Sequence, residues 1–253
     1  MARIYAVANQ KGGVGKTSTA VNLAASLAAA ERRVLVVDMD PQANASSGLG
    51  WPPDKVTRHV YEALLGEPAG PLLLKTELAN LDLLAAHADL VGAEIELVAM
   101  TERETRLRDA LTPLRDAYEF VFVDCPPSLG LLTLNALVAA DEVIIPLQCE
   151  YFALEGLARL LGTIERVRSQ LNPSLVVGGV LLCMVDPRLN LSQQVEREVR
   201  EHLDAKVFQT VIPRNVRISE SPSFGKPILL YDIDSRGCQS YLQAARELLA
   251  RVA

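Results

Sequence analysis

Apolar residues along the chain gather into five short runs, at residues 3–8, 33–38, 120–124, 142–146 and 176–182, that are hydrophobic at nearly every position. Continuous runs of this length, rich in Val and Ile, predict strands buried on both faces, as in a parallel sheet covered by helices. Between them the period changes. Residues 18–30 are Ala- and Leu-rich without a break, residues 102–115 carry Leu107, Leu111 and Leu114 at helical spacing, and residues 154–171 repeat Leu or Ile every three or four positions. The βαβα alternation predicts an α/β fold: a doubly wound, mostly parallel sheet flanked by helices. Pro/Gly-rich breaks at residues 50–53 and 66–71 are too short to be linkers, so all 253 residues are expected to form one domain.

Composition narrows the class. Hydrophobic residues make up 49% of the chain but aromatics only 5%, which suits helices on aliphatic strands. No apolar run reaches bilayer length and the first residues enter a strand directly, so a cytoplasmic protein without membrane attachment or a preceding DNA-binding domain is expected. Cys125, Cys149, Cys183 and Cys238 form no Cys-x-x-Cys pair and no His stands at metal-ligand spacing, so buried, reduced thiols are expected. A net charge of −6 disfavours a broad basic surface but leaves room for a local cationic patch.

The first strand runs into Asn9-Gln10-Lys11-Gly12-Gly13-Val14-Gly15-Lys16-Thr17 and then a helix. Gly15-Lys16-Thr17 fits the phosphate-loop pattern, although Gln10 stands where its first Gly belongs. Gly12, Gly13 and Gly15 allow backbone N–H groups to turn toward phosphates, with the helix N-terminus behind them. Lys16 is expected on the β and γ phosphates and Thr17 on Mg²⁺. Two apolar strands end in acids, Asp124 after Phe120-Val121-Phe122-Val123 and Asp38 after Val34-Leu35-Val36-Val37, with Asp40 just beyond. Both ends fall at the carboxyl edge of a parallel sheet, where such a loop places its metal.

Lys11-Gly12-Gly13-Val14-Gly15-Lys16-Thr17, Val37 to Gln42, Val123 to Ser128, Glu150 to Gly156 and Ile212 to Arg217 stand in the order found in ParA/Soj partitioning ATPases, and the chain resembles that family from Ile4 to Tyr231. The first motif alone is shared by MinD and the nitrogenase iron protein; the last two point to ParA/Soj. The resemblance implies a slow, Mg²⁺-dependent ATPase that forms a nucleotide-dependent sandwich homodimer, with Lys11 reaching the partner's nucleotide. It implies that Asp40 positions the attacking water and that Thr17, Asp38 and Asp124 serve the metal. Nucleotide contacts are implied for Gly12, Gly13, Val14, Gly15, Lys16, Thr17 and Ser18, for Glu150, and for Met184, Pro213 and Asn215 at the adenine. No guanine-reading Asn/Thr-Lys-x-Asp sequence is present, which favours ATP. The resemblance further implies non-specific DNA binding through Arg188 and Arg217, a ParB-type partner that stimulates hydrolysis, and a place on the nucleoid. Ser18 replaces the common Thr without loss of a hydroxyl.

The alternative is a MinD-like membrane-associated ATPase. It requires a basic amphipathic C-terminal helix, and residues 240–253 offer Leu242, Ala245, Leu248 and Leu249 at helical spacing but only Arg246 and Arg251 as cations.

Overall fold

The computed structural model describes residues 1–252; Ala253, the last residue of the expected C-terminal helix, lies outside them. Seven strands, β1 (Arg3–Val7), β2 (Val34–Asp38), β3 (Leu74–Lys75), β4 (Leu81–Leu84), β5 (Phe120–Asp124), β6 (Glu142–Gln148) and β7 (Val176–Cys183), form one sheet in the order β3-β4-β2-β5-β1-β6-β7. Every neighbouring pair is parallel except β3 with β4 at the edge.

Successive side chains of each strand enter opposite layers, which is why the strands read as continuous apolar runs. Tyr5, Val7, Val34, Val36, Phe122 and Ile144 face a core shared with Leu23 and Leu27 of the helix Lys16–Ala29 and with Tyr241 and Leu248 of the helix Arg236–Val252. Ile4, Ala6, Leu35, Val37, Val121, Val123 and Ile145 face the other core, closed by Leu132 and Leu137 of the helix Leu131–Ala139 and by Leu157, Leu160 and Ile164 of the helix Ala153–Gln170. The result is the doubly wound layering the alternation predicts. The direction in which crossovers step across the sheet changes beside β1, whose neighbours β5 and β6 lie on either side. Open parallel sheets bind ligands at such a switch point, outside the carboxyl ends of the strands.

Two expectations about elements change. The helix expected over residues 102–115 begins only at Arg106 and runs to Leu111, followed by a 3₁₀ turn over Thr112–Leu114. Glu102 is left-handed at φ 53° and Pro113 cannot supply an N–H in a helix interior, so both ends are cut. The expected strand at 142–146 continues to Gln148 as it pairs with β7 beyond a register shift between Val143 and Ile144. No helix of the described residues is long and apolar enough to cross a membrane.

Candidate nucleotide site

At the carboxyl ends of β1, β2 and β5 the register places Val7 beside Asp124 and Asp38 beside Asp124, so both strand-ending acids meet the start of the phosphate loop at one level. The loop is held by Asn9, whose amide donates to the Pro146 carbonyl (2.7 Å) and whose side-chain oxygen accepts the Lys11 N–H (3.1 Å). Gly13 and Gly15 turn it in left-handed conformations, φ 74° and 93°, which a side chain would strain. Gly15 caps the helix Lys16–Ala29 with no side-chain hydrogen bond, so the first-turn N–H groups face outward to whatever lies in front of the loop.

In front of it is a cavity of about 550 Å³, lined by Gly12, Gly13, Gly15, Lys16, Thr17, Ser18, Asp40, Met184 and Asn215 among the residues expected from sequence. Lys16 is buried and donates from Nζ to the Lys11 carbonyl (3.0 Å). Burial lowers its pKa while Asp124, Cys125 and Asp40 pull it back, an arrangement that favours a charged ammonium once phosphate arrives.

The acids differ in how they are satisfied. Asp38 is fully buried and accepts from the Ser46 N–H (2.8 Å), the Ser46 hydroxyl (2.7 Å) and the Asp40 N–H (3.1 Å). Burial nonetheless pushes it up to about 6, against those bonds. Asp124 is equally buried, and neither of its carboxylate oxygens has a hydrogen-bond partner. Burial first and Asp38 second hold it well above the usual carboxylate range, with the nearby Thr17 hydroxyl and the Lys16 ammonium pulling the other way. Two orphaned buried oxygens beside Thr17 and a phosphate loop are what a hard, oxygen-seeking divalent cation satisfies, so these residues fit Mg²⁺. Asp40 keeps one oxygen for the cavity, since Oδ1 accepts the Gln42 N–H (2.9 Å).

Other expected residues lie off the cavity wall. Val14 is buried, Pro213 pairs its backbone with Val185 in a parallel bridge, and Glu150 binds the Lys11 ammonium on the outer rim. Arg188 is 86% exposed in its side chain and holds Asp186 through Nε (2.9 Å) and Nη2 (2.7 Å). Arg217 pairs with Glu220 (3.0 Å) and Asp232 (3.3 Å). The wall also contains Cys183, Ile212, Arg214, Ile218 and Tyr241, which the sequence did not single out. Arg214 sits inside the Ile212-Pro213-Arg214-Asn215 motif, the only signal that could have found it; Tyr241 lies in the C-terminal helix, 222 residues from its neighbour Thr19 (3.5 Å).

Ser46 is a second omission. Its hydroxyl donates to Asp38 and accepts the Ala86 N–H (2.9 Å), tying β2, the short helix Asn44–Gly48 after it and the end of β4 together. Ser46→Ala strands a buried N–H and removes one carboxylate bond, and is expected to destabilise the fold by about 1–3 kcal/mol in denaturant unfolding. A loss below about 0.5 kcal/mol would show that Asp38 is held without it.

Comparison with known proteins agrees with this geometry. A family profile described as an AAA domain matches residues 2–177. The chain is 60% identical over 250 residues to the chromosome partitioning protein ParA of Myxococcus xanthus, covering 98% of this chain and 88% of that protein. It is 53% identical over 251 residues to the sporulation initiation inhibitor protein Soj of Bacillus subtilis, covering 99% of each. Its fold superposes with a TM-score of 0.87 on cobyrinic acid a,c-diamide synthase from Mycobacterium smegmatis with bound ATP analog and magnesium, at 39% identity and covering 100% of this chain and 96% of that one. A phosphate loop with a buried lysine, two acids in register and full-length likeness to partitioning proteins together establish that the chain belongs to the ParA/Soj family of partitioning ATPases, with ATP and Mg²⁺ as its ligands.

Proposed function

We propose that the ATP-bound form of this chain is a sandwich homodimer that binds DNA without sequence preference, and that a ParB-type partner releases it by stimulating hydrolysis. The observation that carries this reading is the position of Lys11. Its ammonium lies on the rim outside its own cavity, paired with Glu150, and the next two residues after Glu150 are Tyr151 and Phe152, 75% and 68% exposed. A cation on an exposed aromatic rim supports a role on a nucleotide facing it from a second copy rather than on its own.

In such a dimer the roles divide as follows. Gly12, Gly13, Val14, Gly15 and the first turn of the following helix bind phosphate oxygens through backbone N–H groups, with the Ser18 hydroxyl at that turn. Lys16 neutralises the β and γ phosphates. Thr17 and Asp124 would hold the magnesium, and Asp38 sits behind them with its hydrogen bonds filled. The metal supplies charge neutralisation at the phosphates when bound. Asp40 accepts a hydrogen bond from the water that attacks, and Lys11 from the partner meets charge developing on the transferred group. Met184 and Asn215 border the adenine end, with Pro213 bracing the strand behind, and Glu150 steers Lys11.

Arg188 and Arg217 are the proposed DNA contacts. Each is exposed but already paired with an acid, so DNA phosphate competes with Asp186, Glu220 and Asp232, and a dimer is needed to double the cations. The C-terminal helix supports DNA over a membrane surface, because its apolar stripe of Cys238, Tyr241, Ala244, Ala245 and Leu248 is buried in the core it shares with the helix Lys16–Ala29. ATP-bound protein would therefore collect on the nucleoid and return to the cytoplasm after hydrolysis.

The test is binding to DNAs of unrelated sequence with ATP, ADP or no nucleotide at two salt concentrations. Binding is expected only with ATP. With two arginines from each chain it should weaken by roughly 10²-fold between about 50 and 200 mM salt. Arg217→Glu should keep the ATP dimer and lose DNA. ATP-dependent sedimentation with anionic liposomes and none with DNA would overturn the reading in favour of a MinD-like activity.

A further inference from the structure

His59 lies 28 residues before the His87 and Asp89 pair in sequence, but the three come together in the fold beyond the end of β4. The two imidazole rings stack at 4.9 Å between centroids, tilted by 20°. One donor atom from each residue lies within 4.8 Å of the others. Asp89 Oδ2 is the point of convergence: His87 Nδ1 is 3.0 Å from it and His59 Nε2 is 3.8 Å from it.

His59 is the anomaly. Its side chain is 6% exposed, yet Nδ1 has no hydrogen-bond partner in acceptable geometry and Nε2 is beyond hydrogen-bond reach of Asp89. A buried imidazole nitrogen with no partner calls for an explanation. Glu62 Oε2 stands 3.3 Å from Nδ1 and is itself fixed by accepting the His59 N–H (2.9 Å). A carboxylate behind the far nitrogen of a histidine is the arrangement that orients a metal-binding imidazole.

We propose that His59, His87 and Asp89 form a binding site for a divalent transition-metal cation, Zn²⁺ foremost, with Glu62 as the orienting carboxylate. Two imidazoles and a carboxylate are a donor set suited to Zn²⁺ rather than Mg²⁺, which takes oxygen ligands. Zinc–ligand bonds of about 2.0–2.2 Å place tetrahedral donors about 3.3–3.6 Å apart. The edges of 3.0 and 3.8 Å bracket that value, and Asp89, 66% exposed, can turn to close the longer one. The cation would take the His87 Nδ1 lone pair from the Asp89 backbone N–H that now donates to it at 3.3 Å, draw in the Asp89 carboxylate and leave a fourth position to water. The site is separate from the magnesium acids but close in sequence to one link with them, since Ala86 donates its N–H to the Ser46 hydroxyl that binds Asp38. Occupancy would pin the loop at residues 86–89 to the turn that begins the helix Val60–Leu64.

The test is calorimetric titration of untagged protein with Zn²⁺ in saturating Mg²⁺ and ATP, alongside Co²⁺ absorption spectra. One equivalent is expected to bind, with Co²⁺ bands of nitrogen and oxygen ligation and no thiolate charge-transfer band. His87→Ala and Asp89→Asn, both at accessible side chains, should abolish saturable binding while leaving the circular dichroism spectrum unchanged, and Glu62→Gln should weaken it about tenfold or more. Absence of saturable binding in the wild type overturns the proposal. So does binding that is unchanged in His87→Ala, or a thiolate band.

Discussion

Lys16→Ala is expected to abolish ATP binding and to lower ATP turnover by on the order of 10²–10³-fold, the loss typical of removing one preorganised charge from a phosphoryl-transfer site. The lysine is buried at the mouth of the helix Lys16–Ala29 and its ammonium already spans the loop to the Lys11 carbonyl at 3.0 Å, so phosphate meets a charge whose position is set in advance. The substitution removes a desolvated cation and leaves no large apolar cavity, so the fold should survive. Thermal unfolding without nucleotide should stay close to wild type, while the stabilisation that ATP and Mg²⁺ give the wild type should disappear. Lys16→Arg should fail nearly as badly, because a planar fork cannot replace a compact ammonium inside the glycine turn. Undiminished ATP-dependent stabilisation of Lys16→Ala would remove Lys16 from the phosphate site.

How far the sequence foretells such a site depends on whether a residue's role is local. The phosphate loop is legible because glycine, lysine and threonine must follow one another for the turn to form. Asp38 and Asp124 are legible because each ends a run of four apolar strand residues, which puts it at the sheet edge in any parallel arrangement. β4 was not read, because Leu81-Asp82-Leu83-Leu84 lacks β-branched residues and carries an acid in its middle. Its strand character comes from pairing with β2, and Asp82 is tolerated there because it accepts the Tyr118 hydroxyl (2.6 Å). Ser46, Tyr241 and the His59–His87–Asp89 group are silent for the same reason. Each acts through partners that only the folded chain supplies, and no spacing rule connects residues 28 or 222 positions apart.

Asp40→Ala is expected to lower ATP turnover by on the order of 10²-fold while sparing ATP binding, so that, on the function proposed above, protein accumulates in the DNA-bound state. Lys16 and the glycine loop do not touch the Asp40 side chain through any hydrogen bond, and their grip on the phosphates should persist. What is lost is the carboxylate oxygen left over for the cavity once Oδ1 has accepted the Gln42 N–H. Alanine also strands that N–H, so a fall in turnover alone could reflect a loosened loop. Asp40→Asn separates the two effects, because its amide oxygen can still accept from Gln42 while its charge and basicity are gone. If orientation and activation of water are the role, both variants are slow and both remain on DNA with ATP, released neither by time nor by the partner. If the role is only to shape the loop, Asp40→Asn hydrolyses ATP at nearly the wild-type rate and leaves DNA on schedule.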